Sequence, residues 1–209
     1  MITMLAPNME FSRVATEDRV IRTAEALEAH GMHTMILENG EEARRCVLEM
    51  IPAGSLVHNP PSRTLEQIGL AENIADSGDF QNTRSRLRSM DRRTQQRQMR
   101  QLSSSPDVVV GSVHAITEQG EVMVASASGS QLAAEVFGAS TVVWVVGTQK
   151  IVPTLDEGFR RIREYSYPLE DQRTRRAHGQ PSAINKMLVV SGEQPGRITV
   201  LLVKQNLGF

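Results

Sequence analysis

The chain holds one cysteine, Cys46, in 209 residues. That excludes an intrachain disulfide framework and any cysteine-only metal cluster held within one chain. Aromatic residues are also scarce, with one Trp, two Tyr and five Phe, and none of them falls in the arginine-rich stretch Arg84–Arg100. Neither sign of charge dominates: the formal net charge is −1. The chain as a whole therefore has no electrostatic reason to bind nucleic acid or a membrane non-specifically. No apolar run approaches the ~18–20 residues that cross a bilayer. Met1–Arg13 carries no basic patch followed by an apolar block, so no secretory leader is expected and the cytoplasm is the default location. Several motifs are missing too. There is no Gly-x4-Gly-Lys-Ser/Thr loop, no Gly-x-Gly-x-x-Gly fingerprint, no His-Glu-x-x-His and no Gly-x-Ser-x-Gly elbow. His30, His33, His58 and His178 stand apart from any ligand spacing, so no metal is expected.

What remains is an ordinary globular composition, 40% hydrophobic and 22% charged, of a length that suits one α/β domain over 1–209. Residues 1–15 carry little periodicity and are expected to be irregular. Three valine-rich runs, Val108–Val110, Val122–Ala125 and Val142–Val146, are bounded by Gly and Ser and predict strands buried on both faces. With a helical segment at Ser130–Phe137 between the last two, the spacing predicts a βαβ unit and a parallel pair. Upstream, a helix starts after Thr16 and ends at His30-Gly31. His33–Leu37 reads as a strand, and Glu41–Met50 as a helix whose stripe (Ala43, Cys46, Val47, Met50) turns Cys46 to the core as a small hydrophobe. Ser55–His58 predicts a short strand. Ser62 or Thr64 caps the next helix, and Thr64 with Gln67 fits a capping box.

Arg84–Arg100 sets seven arginines against Asp91 alone, with few apolar positions. It predicts one helix, within 83–102, that is exposed or in contact with another copy of the chain. A solvated or oligomer-contacting face outweighs a nucleic-acid reading there. Thr154…Glu157 is a capping box, and Leu155, Phe159, Ile162 and Ser166 mark an inner helix face that leaves Arg160, Arg161 and Arg163 largely outside. Tyr167-Pro168 is expected to end that helix. Lys186–Val190 and Ile198–Lys204, joined through Gly192, Pro195 and Gly196, predict a terminal antiparallel hairpin.

Three constellations could carry chemistry, each with a plain structural alternative. Ser126-Ala127-Ser128-Gly129-Ser130 follows a strand and precedes a helix. Backbone N–H groups and hydroxyls there can cradle a phosphate or carboxylate, or simply cap the turn. Thr117-Glu118-Gln119-Gly120 puts a carboxylate beside a glycine, as a general base or nucleophile or as an ordinary turn. Gly147-Thr148-Gln149-Lys150 ends the most apolar strand. Its lysine can bind an anion, act as an amine if desolvated, or snorkel at the surface. The chain's 23 basic residues include only three lysines, Lys150, Lys186 and Lys204.

Taken together, five stretches resemble the LUD domain, the lactate-utilisation family that includes lactate utilisation protein C and YkgG-type proteins. They are Glu38–Ala43, Ser62–Gly69, Gly111–Glu118, Val145–Val152 and Asn206–Phe209. The resemblance implies a fold similar to the NagB/RpiA/CoA-transferase group: a Rossmann-like open, mostly parallel sheet with helices on both faces. It implies a small anionic metabolite at the strand ends and a role in bacterial lactate or organic-acid use beside iron–sulfur partner proteins. With a single cysteine here, any cluster belongs to the partner, and no cofactor is expected in this chain. Carried over position by position, the resemblance points to Ser62, Thr64, Glu66, Thr117, Glu118, Gly120, Ser128, Gly129, Ser130, Gly147 and Lys150, with Glu118 as the candidate catalytic carboxylate. Pro60-Pro61 departs from the small, flexible residues usual there and removes two N–H donors from that loop. Three roles follow: a binder of an anionic metabolite, an enzyme resembling sugar-phosphate isomerases or CoA transferases, or a non-catalytic subunit that docks on an iron–sulfur protein.

Overall fold

The computed structural model describes residues 5–209. The first four residues, on which the leader and irregular-segment readings partly rest, lie outside the described residues. The rest of that segment contains a 3-10 turn, Met9–Ser12, capped by the Asn8 side chain.

Helix α1 (Glu17–Ala29) buries Val20, Thr23 and Leu27. Strand β1 (His33–Leu37) leads into α2 (Gly40–Met50). Asn39 caps α2 by accepting from Glu42 N at 3.0 Å, and the Glu42 carboxylate reaches back to Glu38 N. Two N-terminal donors are thus satisfied by two adjacent side chains. Next come β2 (Leu56–His58), α3 (Arg63–Gln67), α4 (Leu70–Asp76), β3 (Gln81–Asn82), α5 (Thr83–Ser89) and α6 (Gln96–Ser104). Strands β4 (Val108–Gly111), β5 (Ala115–Thr117) and β6 (Val122–Ser126) precede a π-helical turn, Ala134–Gly138. After β7 (Thr141–Gly147) the chain makes a 3-10 turn through Lys150, then β8 (Ile151–Val152), α7 (Leu155–Arg161), a second π-helical turn (Ile162–Ser166) and α8 (Tyr167–His178). Strands β9 (Lys186–Val190) and β10 (Ile198–Val203) close the order.

Six strands form an all-parallel sheet in the order β1-β10-β7-β4-β2-β3. Four others form a mixed sheet, β8-β5-β6-β9. The parallel sheet is open and Rossmann-like, and its strands are apolar on both faces because both are covered. On one face Val57, Val108, Val110, Val143, Val145 and Leu201 pack on α2, α3 and α4. On the other, Val109, Val142, Trp144, Val200 and Leu202 pack on α1 and the mixed sheet. The far side of the mixed sheet, Ala115, Met123 and Val152, receives Phe159 and Ile162.

Several expectations are corrected here. The run at Val122 is a strand, but it is antiparallel to β5 and β9 in the mixed sheet, so it forms no βαβ unit with β7. A run buried on both faces has the same apolar signature in either sheet, and apolarity cannot say which neighbours it takes. The segment expected to be helical from Ser130 is helical from Leu132, a short α-helical start that widens into the π-helical turn. The C-terminal strands form no hairpin. β9 pairs with β6, while β10 lies parallel between β1 and β7. The arginine-rich segment is two helices, not one. Between them the Asp91 carboxylate accepts from Arg93 N and Thr94 Oγ1, a local turn that competes with the helix. α6 also runs on through Ser103 and Ser104, two residues past the 83–102 bounds expected for the helix. Pro168 does not end the helical run, which passes from the second π-helical turn into α8; the Glu164 carbonyl that its missing N–H leaves free accepts from Asn8 N at 2.8 Å. Arg161 is not outside the α7 face but fully buried.

Candidate functional site

The loops that leave the C-terminal ends of β2, β4 and β7 converge on one cavity of about 330 Å³. This is the end of an open parallel sheet where ligands are held in many α/β folds. The Ser126–Gln131 segment, the first π-helical turn, α8 and residues 182–184 complete its wall.

Lys150 forms the floor. It is 2% exposed and faces the cavity. Its Nζ donates to Thr64 Oγ1 at 3.0 Å and to Ser112 Oγ at 2.9 Å. Both hydroxyl protons are already committed, Ser112 to the carbonyl of Val145 at 2.6 Å and Thr64 to that of Leu207 at 3.2 Å. Each hydroxyl can therefore only accept from Nζ. No carboxylate among the described residues bridges Lys150. Burial, with the Arg161 charge adding to it, drives its pKa well below the ordinary lysine value.

Arg161 stands behind it, 0% exposed. Its guanidinium donates to the carbonyls of Gln149 and His114 and to Ser166 Oγ, and stacks 5.0 Å from the Tyr165 ring centre. Nη2 has no partner, and burial lowers the pKa to about 9. His114 lines the cavity with its Nδ1 accepting from Ala125 N at 3.1 Å, so the proton sits on Nε2. Burial, helped by the charges of Lys150 and Arg161, takes its pKa down to about 3 and keeps the ring neutral.

Glu135 reaches the cavity from the first π-helical turn. It is 1% exposed and rests on Gly111, where an added Cβ would lie 3.4 Å from Oε1. Oε2 has no partner. Burial raises its pKa to about 8; the nearby Trp144 indole opposes this but makes no hydrogen bond of acceptable geometry, and its Nε1 is also unpartnered. At neutral pH this carboxyl is protonated and can donate a hydrogen bond. The other acids of the wall are balanced. Glu66 pairs with Arg63 at 2.7 Å, and Glu170 pairs with Arg173 at 2.6 Å. The uncompensated charge of the site is therefore positive and buried.

Of the residues expected from sequence, Ser62, Thr64, Glu66, Ser128, Ser130 and Lys150 line this one cavity. Ser62 also caps α3 by accepting from Leu65 N, while Thr64 is spent on Lys150 and Leu207. The N–H groups of Gly129 and Ser130 are taken up by Ser126 and Ser128, so that loop offers hydroxyls in place of a backbone cradle. Gly129 packs against Lys186, and Gly147 allows the C-terminal tail to pass: a Cβ there would lie 2.6 Å from Leu207 N. Both sit beside the cavity without lining it. Thr117, Glu118 and Gly120 lie elsewhere, on the β5–β6 turn against α1. Glu118 accepts from Arg19 at 2.6 Å and Arg22 at 2.9 Å. Partial burial pushes its pKa up, but the hydrogen bonds and charges of the two arginines outweigh this and hold it below the usual carboxylate range. Thr117 is bound to Glu121, and Gly120, at φ +86°, lets the turn approach Ala26.

Sequence reasoning missed Arg161, Glu135 and Ser112 as an acceptor for Lys150. Arg161 had a signal: Gly158, Arg161, Ile162 and Tyr165 fall at i, i+3, i+4 and i+7, so it occupies the buried stripe. Glu135 had a weaker one, a lone acid among Leu132, Ala133, Ala134, Val136 and Phe137. Among the described residues no group of three His, Cys, Asp or Glu side chains could hold a metal, and no helix is long and apolar enough to cross a membrane.

A family model, the LUD domain, matches residues 20–203. No curated protein matches the sequence. Among solved structures, a duf162 family protein from Deinococcus radiodurans is similar with a TM-score of 0.55 at 12% identity, over 91% of this chain and 99% of that one. At that identity the likeness shows a shared fold.

Proposed function

Because the chain belongs to the LUD-domain family, we propose that it binds a small organic anion above Lys150 and serves lactate or related organic-acid metabolism. The observation that supports this is the charge of the cavity. Lys150 and Arg161 are buried cations with no ion-pair partner among the described residues, while the acids at the mouth are paired. Buried charge without a partner is costly, and a bound carboxylate or phosphate supplies what is missing. The hydroxyls of Ser128 and Ser130 and the protonated Glu135 add donors at the wall. The test is a thermal-shift panel of hydroxy acids, oxo acids, sugar phosphates and CoA esters on the wild type and Lys150→Met. A ligand at a hundred times its dissociation constant should add ~2.7 kcal/mol of stability. A shift seen in the wild type and lost in Lys150→Met is expected; no shift from any anion overturns the proposal.

A second reading rests on a different surface. Arg88, Arg92, Arg93, Arg97 and Arg100 are exposed on α5, α6 and the turn between them, with no ion pair among the described residues. Such a face suits an acidic protein surface, as an iron–sulfur partner would have to present. Salt-sensitive co-purification, lost when those arginines are reversed to glutamate, is the expected result. Association that ignores both salt and the reversal would remove this reading.

A further inference from the structure

We propose that Lys150 is an amine nucleophile that condenses with the carbonyl carbon of a small oxo acid bound in this cavity. The inference deepens the anion-binding reading and rests on it. Its ground is hydrogen-bond stoichiometry at Nζ. Two hydroxyls can only accept there, because Ser112 donates to Val145 O and Thr64 donates to Leu207 O. An uncharged amine has two N–H bonds, and those two acceptors use both. What is left on nitrogen is its lone pair. The fixed Cε–Nζ bond and the two occupied directions leave it the remaining tetrahedral position, on a lysine that lines the cavity. No carboxylate among the described residues bridges Lys150 to hold it as an ammonium, and Arg161 behind it disfavours a second buried cation. Desolvation next to another cation is how an enzyme amine is made nucleophilic. The ammonium form draws the acid in; the amine form attacks.

The step balances with groups on the page. The Nζ lone pair bonds to the carbonyl carbon, the C=O π pair moves to oxygen, and one nitrogen proton passes to that oxygen. This gives a carbinolamine. Glu135, the buried acid of the same cavity wall, protonates the hydroxyl; the C–O bond breaks and water leaves. The nitrogen lone pair closes the C=N bond. The products are an iminium on Lys150, a Glu135 carboxylate and one water. No oxidant or reductant is consumed.

The test is reductive trapping. The full chain is incubated with pyruvate, 2-oxobutyrate or glyoxylate and sodium borohydride, then measured by intact-mass and peptide-mapping mass spectrometry, with a thermal-shift readout alongside. One adduct per chain, on the peptide carrying Lys150, is expected. It should be absent with the matching 2-hydroxy acids and in Lys150→Arg, and Glu135→Gln should slow its formation on the order of a hundredfold. Mapping in the wild type does not depend on whether either variant folds. An adduct confined to Lys186 or Lys204 overturns the proposal. An oxo acid that stabilises the protein but leaves Lys150 unlabelled also overturns it, while the cavity reading survives. If no acid of either kind stabilises the protein and Lys150 stays unlabelled, this proposal falls, and the anion-binding reading falls with it when the sugar phosphates and CoA esters also give no shift.

Discussion

Two glutamates divide this molecule. Glu118, on the β5–β6 turn, sits beside a glycine at a strand end, where an acid–base residue is often sought. Its carboxylate is met by two guanidiniums from α1 and stays ionised. Glu135, in a stretch of small and apolar residues, has one oxygen unpartnered and a pKa raised to about 8. The first corner is electrostatically closed: charges match, and the interaction ties α1 to the mixed sheet. The second is open, with a neutral acid, a neutral histidine and Lys150 around one cavity and the Arg161 guanidinium behind, no ion pair among them. The contrast locates chemistry by unmatched charge in place of residue type.

The largest differences expected between the two corners are in pH dependence. The Glu135 carboxyl takes a proton more readily folded than unfolded, its value rising from 4.5 to about 8. Its contribution to stability is complete below pH 4.5 and is lost as pH rises toward 8, on the order of 4 kcal/mol across the window. His114, His58 and Lys150 slope the other way, so the fall is read as a difference: in urea titrations from pH 5 to 8 the stability of Glu135→Gln relative to the wild type should rise with pH, and a flat difference would remove Glu135 from the open corner. His114 carries the opposite sign. Its value drops from 6.5 to about 3, so its contribution is present above pH 6.5 and is lost as pH falls toward 3. His114→Gln should weaken the acid limb while leaving the alkaline one unaltered. Buried His58, held neutral with a value near 4, acts in the same direction and persists in that variant.

Ligand affinity comes next. Lys150→Met removes a charge-assisted contact of ~1.5–3 kcal/mol. Calorimetry should find about a ten- to hundredfold weaker anion, whereas Glu118→Gln should change affinity less than about twofold. Equal losses in both variants would erase the distinction between the corners. The smallest effect is on stability at the closed corner. Arg22 is largely exposed, so Glu118→Gln should cost about 1 kcal/mol or less near neutral pH. That is measurable as a small shift in urea midpoint with no change in ligand response.

Most elements were legible because their signals are local. β1, α2 and the β7 run follow from period and valine content. The cavity was half legible. Ser62, Thr64, Glu66, Ser128, Ser130 and Lys150 belong to short polar segments that punctuate apolar runs, and such segments fall at strand ends. Whether such a segment faces the cavity or the solvent is not written in it. Thr117-Glu118-Gln119-Gly120 has the same local character as the Lys150 segment, yet its strand, β5, belongs to the mixed sheet and points its turn at α1. Lys150 reads equally as a surface lysine; it is buried because the C-terminal tail, pinned by Gln149 to Leu207, closes over the same corner.

The sequence alone determined the α/β class, the periods, the caps and which short segments interrupt the apolar runs, since each depends on neighbours within a few residues. Tertiary structure decided which strands pair, which arginine is buried and which glutamate is left without a partner. Those outcomes depend on groups brought together from distant positions: Thr64, Ser112 and Lys150 at Nζ, and Gly111, Glu135 and Trp144 around the buried carboxyl. A titratable group takes its properties from the charges and solvent around it, and that surrounding exists only once the chain has folded.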